Sequence, residues 1–324
     1  MNCICAIADE NFVPHFATLL GSIACNSPGY PVMLVSNGIS AENREKLETF
    51  SARVGVELSM VEASGVDLSQ FPLFERWSAG VWLKFFLADL APAGCSRLLY
   101  LDCDMVVTDD LTGLMETDLS GRTLAAIPDA TLDRMSARKR ELGMPETGTY
   151  FNTGSLLIDP AAWRKNDITT RAETFARNNR DIIRFPTQDV LCAVAWQDIL
   201  PIHGRWNFIA KTNRDPLVRP AVLHFIGKEK PWKMRNAPGA GIYRLYRSMT
   251  PWSDYSVPRS IPRSFQDLRE VIQDFRCAML ARRDLKRNDV RGRRFNSLQK
   301  SFVYHMELNR PGLDRLCREL ARPD

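Results

Sequence analysis

The chain has 324 residues, 45% of them apolar and 25% charged, and a formal net charge of +5. That length and apolar content suit one large α/β domain or two small ones with a sizeable core. No uninterrupted apolar stretch approaches the ~18 residues of a membrane-spanning helix, and the N-terminal apolar run breaks at Asp9 and Glu10 without a basic segment before it, which excludes an ordinary signal peptide.

The first hundred residues alternate strand and helix signals. CICAIA (3–8) reads as a strand that ends in Asp9-Glu10-Asn11, followed by a helical pattern through Phe16, Leu19, Leu20 and Ile23. PVMLVS (31–36) is a second strand closed by Asn37-Gly38, ENREKLETF (42–50) an amphipathic helix, and VELSMVE (56–62) a third strand. VWLKFFLADLA (81–91) reads as a buried helix stopped by Pro92 and Gly94, and LLYLDCDMVV (98–107) as one buried strand interrupted by two aspartates. Later landmarks are LAAIPD (124–129), YFNTGSLLID (150–159), a helix after PTQDVL (186–191), and VLHFIGKEKPWK (222–233). This alternation predicts a mostly parallel sheet with helices on both faces, and ligands in such sheets bind at the carboxyl ends of the strands. Asp9–Asn11 and Asp102–Asp104 both fall near strand ends and are expected to face one pocket.

After Trp252 the character changes. Pro258 and Pro262 mark a linker, and residues 265–287 put Leu268, Val271, Ile272, Phe275, Met279 and Leu280 on one face of a basic helix. From Tyr255 onward there are 16 Lys and Arg against 9 Asp and Glu, so the whole positive excess lies there. The expected division is therefore residues 1–254 as the catalytic domain and 255–324 as a basic helical extension. An anionic membrane is the expected partner of 265–294, and nucleic acid is not, because little aromatic interleaving accompanies the charge. Eight cysteines occur without a C-x-x-C pair or a zinc spacing. Scattered thiols of this kind suggest a reducing cytoplasm, with peripheral contact at the inner face of the membrane.

If 98–107 is one strand, Asp102 and Asp104 share a face, because residues i and i+2 do. Two ionised carboxylates that close repel unless a cation lies between them, and Mn²⁺ or Mg²⁺ takes such oxygen ligands and shares them with a phosphate. The plainer alternative is a strand end whose aspartates are solvated or cap a helix. In HFIGKEKPW, His224 could supply an imidazole for the same metal, Gly227 permits close backbone approach, and Lys230 could bring a mobile charge to phosphate; the plainer alternative is a surface histidine and a solvated lysine.

These motifs occur in a fixed order: LYLDCDMVV, YFNTGSLLID, Gln188-Asp189, then HFIGKEKPW. In that order they resemble family 8 retaining glycosyltransferases, which include the glycogenins and bacterial lipopolysaccharide galactosyl- and glucosyltransferases. The resemblance spans about residues 1–235 and implies a nucleotide-binding, Rossmann-like GT-A fold, a UDP-sugar donor, a saccharide or glycolipid acceptor and Mn²⁺. It further implies that Ala8, Asp9 and Asn11 hold uracil and ribose. Asp102, Asp104 and His224 would bind the metal, with Cys103 near the ribose. Gly227 and Lys230 would meet the pyrophosphate, Asp129 and Asn152 the donor sugar, and Gln188 and Asp189 would lie beside the anomeric carbon. Two positions depart from the family's pattern: Lys84, which the resemblance places among the donor-binding residues, stands where it usually has arginine, and Thr187 where it often has aspartate. They leave open a second reading, a UDP-sugar-binding or regulatory protein with weak catalysis. A nucleotidyltransferase would instead be expected to carry a Gly-rich basic loop near the first strand, and DENFVPHF is not one.

Overall fold

The fold is described from a computed structural model, covering residues 1–75, 78–209, 219–228, 230–234, 237 and 239–254. The expected linker and basic helix of 265–287, and the membrane contact assigned to 265–294, lie outside the described residues.

Seven strands form the main sheet. They are β1 (Asn2–Asp9), β2 (Val32–Asn37), β3 (Leu58–Glu62), β4 (Arg97–Leu101), β6 (Leu124–Pro128), β7 (Phe151–Ile158) and β8 (Ile199–Pro201), in the order β3-β2-β1-β4-β7-β6-β8. A second sheet joins β5 (Met105–Val107), β10 (Val222–His224) and β9 (Phe208–Ile209), in the order β5-β10-β9. The main sheet is parallel except at β7, which runs antiparallel to both β4 and β6. The α/β, mostly parallel architecture expected from the sequence is present.

Strand periodicity explains why both faces are covered. Along β1, Cys3 and Cys5 join one apolar cluster with Trp82, Trp163 and Leu191. Ile4, Ala6 and Ala8 join the other, with Phe16, Leu20 and Tyr243. Leu98 and Tyr100 of β4 face the first cluster, and Leu99 and Leu101 the second. Parallel strands buried on both faces read as continuous apolar runs, and β1 and β4 do so.

Three sequence expectations are corrected. LLYLDCDMVV is not one strand: β4 ends at Leu101 in the main sheet, β5 begins at Met105 in the small one, and Asp102-Cys103-Asp104 forms the turn between them. Both flanks are apolar because each is buried, in different sheets. The aspartates therefore meet through a turn rather than through strand alternation. The stretch predicted as a helix at 81–91 winds as a 3-10 helix over Ala79–Phe86 and becomes α-helical only at Leu87–Leu90. The helix expected after PTQDVL instead contains it, spanning Pro186–Ala195 with proline in its first turn, where a missing N–H costs nothing.

Candidate functional site

The β1 and β4 ends lie side by side because those strands are parallel neighbours. The contact is direct: the Cys103 thiol donates to the Ile7 carbonyl at 3.1 Å. Ala8 is buried there, while Asp9 caps the following turn, accepting from the Asn11 and Phe12 backbone at 3.0 and 3.1 Å. Asn11 and Phe12 are exposed, and the ring of Phe12 lies edge-on to that of Trp232. Phe12 is an aromatic surface beside Asp9 that the sequence reading did not single out.

The second sheet delivers the histidine. β10 pairs antiparallel with β5 in a register that puts His224 opposite Met105, and Phe225 N–H donates to the Asp104 carbonyl at 3.0 Å. His224 Nε2 then stands 3.2 Å from Asp104 Oδ1 and 3.8 Å from Asp102 Oδ2. Asp102, Asp104 and His224 are a group whose ligand atoms all lie within 4.8 Å of one another. Adjacent ligands of an octahedral cation with bonds of ~2.1 Å are about 3 Å apart, so the spacing suits a divalent ion. Asp104 Oδ1 is buried without a hydrogen-bond partner, which is costly for a carboxylate oxygen and is relieved by a cation. Burial opposes ionisation of Asp104, but His224 and Lys230 outweigh it and hold the carboxyl well below the usual carboxylate range.

Lysines flank the aspartates. Lys230 Nζ contacts Asp104 Oδ2 and the Phe225 carbonyl, at the end of a loop turned by Gly227, whose φ of 72° favours glycine. The loop is seated by Trp232, stacked on His15 with ring centroids 3.7 Å apart. Burial, then the charge of Arg247, push His15 down to about 3, so it packs as a neutral ring. Lys84 is buried, with Nζ 3.2 Å from Asp102 Oδ1 and 2.9 Å from the Thr153 carbonyl. Tyr100 also donates its hydroxyl to Asp102. Lys84 thus holds a carboxylate of the cluster in place. Thr187 and Thr153 join hydroxyls at 3.3 Å, so the two departures from the family pattern sit on either side of Thr153.

The third part comes from β7. Asp102 N–H donates to the Gly154 carbonyl at 2.9 Å, and the β6–β7 register slips between Ala126 and Ile127, so that β7 bulges here. Bulges re-aim side chains, and this one brings Asn152 to Gln188, with Asn152 Nδ2 3.2 Å from Gln188 Oε1. Gln188 Nε2 donates to Asp129 Oδ2 at 3.0 Å. Asn207, which the sequence reading passed over, donates from Nδ2 to Asn152 Oδ1 at 2.6 Å and bonds His224 Nδ1 through Oδ1 at 2.8 Å.

Gly154 is a third residue not singled out. A Cβ there would lie 2.4 Å from His224 Cε1, 2.7 Å from its Nδ1 and 2.7 Å from Met105 Cε. Real side chains do not approach that closely, and the imidazole is enclosed. Gly154→Ala is therefore expected to push His224 off the aspartates and weaken Mn²⁺ binding by about tenfold or more, the scale of losing a metal's supporting contact. Calorimetric titration with Mn²⁺ measures this, and unchanged affinity would show that the bulge absorbs the methyl.

Asp189 does not join this group. It is fully buried, and its oxygens accept from Arg138 Nε at 3.2 Å, the Tyr150 hydroxyl at 2.6 Å, and the Arg184 and Phe185 backbone N–H at 2.7 Å each. Arg138 Nη2 also contacts it. Burial and then the charge of Asp189 push the Tyr150 hydroxyl up, so it remains a donor.

The family profile described as Glycosyl transferase family 8 matches residues 3–236. The chain belongs to this family. It is similar to general stress protein A of Bacillus subtilis (strain 168), 27% identical over 277 residues, covering 79% of this chain and 96% of that protein. Lipopolysaccharide 1,2-glucosyltransferase of Escherichia coli (strain K12) is 25% identical over 226 residues, covering 65% of this chain and 67% of that one. Among solved structures, the galactosyltransferase LgtC, in complex with donor and acceptor sugar analogues, superposes with a TM-score of 0.69. It is 27% identical, covering 80% of this chain and 98% of LgtC, and its GT-A fold is the one seen here.

Proposed function

We propose that the chain transfers a hexose, galactose or glucose, from a UDP-sugar to a saccharide or glycolipid acceptor, with retention at the anomeric carbon. Lipopolysaccharide or another cell-surface glycan is the proposed product. The observation that carries this reading is one set of side chains joining the carboxylate–histidine cluster to Gln188: His224, Asn207, Asn152, Gln188 and Asp129, each bonded to the next. A divalent cation, Mn²⁺ or Mg²⁺, held by Asp102, Asp104 and His224 would bind the donor's diphosphate and offset charge on the departing UDP.

The chain's own residues supply the rest. Asp9 and Asn11 offer polar groups, and Phe12 an exposed ring face, where the parallel strands end and a nucleoside is expected. Gly227 lets the backbone approach the diphosphate, and Lys230 adds positive charge beside it. Gln188 Oε1 accepts from Asn152 and keeps a second lone pair for the positive anomeric centre. An amide is a poor nucleophile, and the carboxylate of Asp189 is fully occupied and enclosed, which favours attack by the acceptor hydroxyl on the face UDP leaves. The departing phosphate oxygen takes the acceptor's proton. A retaining glycosidase would instead need a second carboxylate at the anomeric carbon.

We assign residues 1–254 to the catalytic unit and 255–324 to the basic extension, in a cytoplasmic setting. The extension is proposed to hold the enzyme at the inner membrane face, where a lipid-linked acceptor would be found. No helix among the described residues is long and apolar enough to cross a membrane.

The test is UDP release from a panel of UDP-sugars with and without Mn²⁺, with mass analysis of products from saccharide acceptors. Release from no donor, with intact UDP binding, would leave the weakly catalytic binding protein as the better reading. Within an active enzyme, Gln188→Ala should lower kcat on the order of 10²-fold, the scale for one stabilising group in a transition state, while KM for the donor changes little. A rise in KM alone would make Gln188 a binding residue.

A further inference from the structure

The bonds between His224 and Asp129 have a direction that the chemistry of their ends fixes. Asn152 Oδ1 accepts the backbone N–H of Gly154 at 2.9 Å, so that atom is the amide oxygen. The Asn207 group 2.6 Å from the same oxygen must be its NH₂. Asn207 therefore turns its own oxygen to His224, and the imidazole must donate from Nδ1. On the other side, the Asn152 NH₂ faces Gln188, so Gln188 presents its oxygen there and its NH₂ to Asp129. Asp129 closes the chain, because its other oxygen already accepts Thr131 and Leu132 N–H at 3.0 and 2.8 Å. Each donor points the same way, from imidazole to carboxylate.

We propose that Asn207 is a positioning residue with two functions: it fixes His224 as the Nδ1–H tautomer, and it couples the cation site to the orientation of Gln188. The first follows from the fork of the amide. With an acceptor at Nδ1, Nε2 is the nitrogen left to face Asp102 and Asp104 and to meet a cation between them. The second follows from the chain's single direction. A cation on Nε2 makes the Nδ1–H a stronger donor, and bonds in series polarise one another. Reciprocity then requires that whatever holds Gln188 in place also favours the cation. Asn207 is buried at the end of the 3-10 turn Gly204–Asn207, just before β9, so it has little freedom to do otherwise.

The coupling rests on the proposed role of Gln188, but the cation arm of the test does not. Two variants separate the functions. Asn207→Leu removes both bonds while keeping the same branched side-chain shape, slightly enlarged. Asn207→Asp keeps an acceptor for His224 and loses the donor to Asn152. Mn²⁺ affinity without nucleotide is measured by calorimetry, and kcat and KM by UDP release. For Asn207→Leu, the Mn²⁺ Kd is expected to rise roughly 10- to 100-fold. For Asn207→Asp, Mn²⁺ affinity is expected to be kept or raised by the added charge while kcat falls about tenfold or more. A third variant, Asp129→Asn, touches no cation ligand and frees the chain to reverse, so a rise of about threefold or more in Mn²⁺ Kd is expected from the lost polarity. Unchanged Mn²⁺ affinity in both Asn207→Leu and Asp129→Asn overturns the proposal. So does a parallel loss of affinity and kcat in Asn207→Asp. If Asn207→Leu does not fold, the other two variants decide the question. Loss of turnover with normal Mn²⁺ behaviour in the wild type would count against the transferase reading and leave the cation arm intact.

Discussion

Asp104→Asn is expected to abolish Mn²⁺-dependent UDP binding and turnover while leaving the fold intact. Its two oxygens are committed differently. Oδ2 meets Lys230, and Oδ1 is buried toward His224 with no donor of its own. Asparagine at this position presents either an NH₂ toward the ion or an NH₂ toward the Lys230 ammonium, and both arrangements oppose the site. The replacement also removes one of two negative charges that make the cluster attractive to a divalent ion. Loss of an outer contact costs a metal site roughly 10- to 100-fold, and loss of a ligand should exceed that. The chain should still fold but melt at a lower temperature without metal, since His224 and Lys230 stabilise the ionised Asp104 and asparagine leaves the Lys230 ammonium without that counter-charge. Asp102→Asn should behave similarly, moderated by Lys84 and Tyr100, which already share that carboxylate. Titration with Mn²⁺ and UDP, beside thermal unfolding, tests both. Near-normal activity of either variant in Mn²⁺ would refute the metal assignment.

The sequence announced the parts of the molecule that depend on local chemistry. β1, β2 and the helices Val13–Asn26 and Ala41–Arg53 follow from apolar periodicity and from end signals such as Ser40, whose side chain caps the second helix. Asp102, Asp104 and His224 were legible because their chemistry is specific, and because motifs in a fixed order resembled a known family. What remained hidden depends on tertiary arrangement. The break at Asp102 was invisible because burial in two different sheets yields one continuous apolar run. Gly154 and Asn207 carry no local signal. A glycine after Asn-Thr and an asparagine after Arg-Trp acquire meaning only once the β7 bulge and the pairing of β9 with β10 set them against the imidazole. The surroundings of Asp189 were hidden for the same reason: the resemblance set it beside Gln188, and its partner Arg138 lies 51 residues earlier.

Replacing that buried aspartate should therefore damage stability first and chemistry only as a consequence. Arg138 is 3% exposed and Asp189 is 0% exposed, so Asp189→Asn leaves a buried cation with only the exposed Glu141 as counter-charge. Breaking a buried pair from one side costs about 3–5 kcal/mol, a large share of a typical stability of about 5–15 kcal/mol. Turnover should fall with it, because the Asp189 carboxylate ties down the Arg184 and Phe185 N–H groups just before the turn that presents Gln188. Loss of activity in this variant alone would not separate a structural anion from a nucleophile. The double variant Asp189→Asn, Arg138→Met does. Methionine removes the stranded charge and fills much of its volume. The introduced asparagine can turn its oxygen to the two backbone N–H groups and its NH₂ to the Tyr150 hydroxyl, which rotates to accept. Removing both charges of a buried pair is often close to neutral, so melting temperature should recover most of the loss. Turnover should return with it, to within about tenfold of the wild type, the residual cost of slight misplacement of Gln188. A nucleophile cannot be restored in this way. A double variant that regains its melting temperature yet stays inactive would make Asp189 a participant in the reaction and overturn attack from the face of the departing UDP.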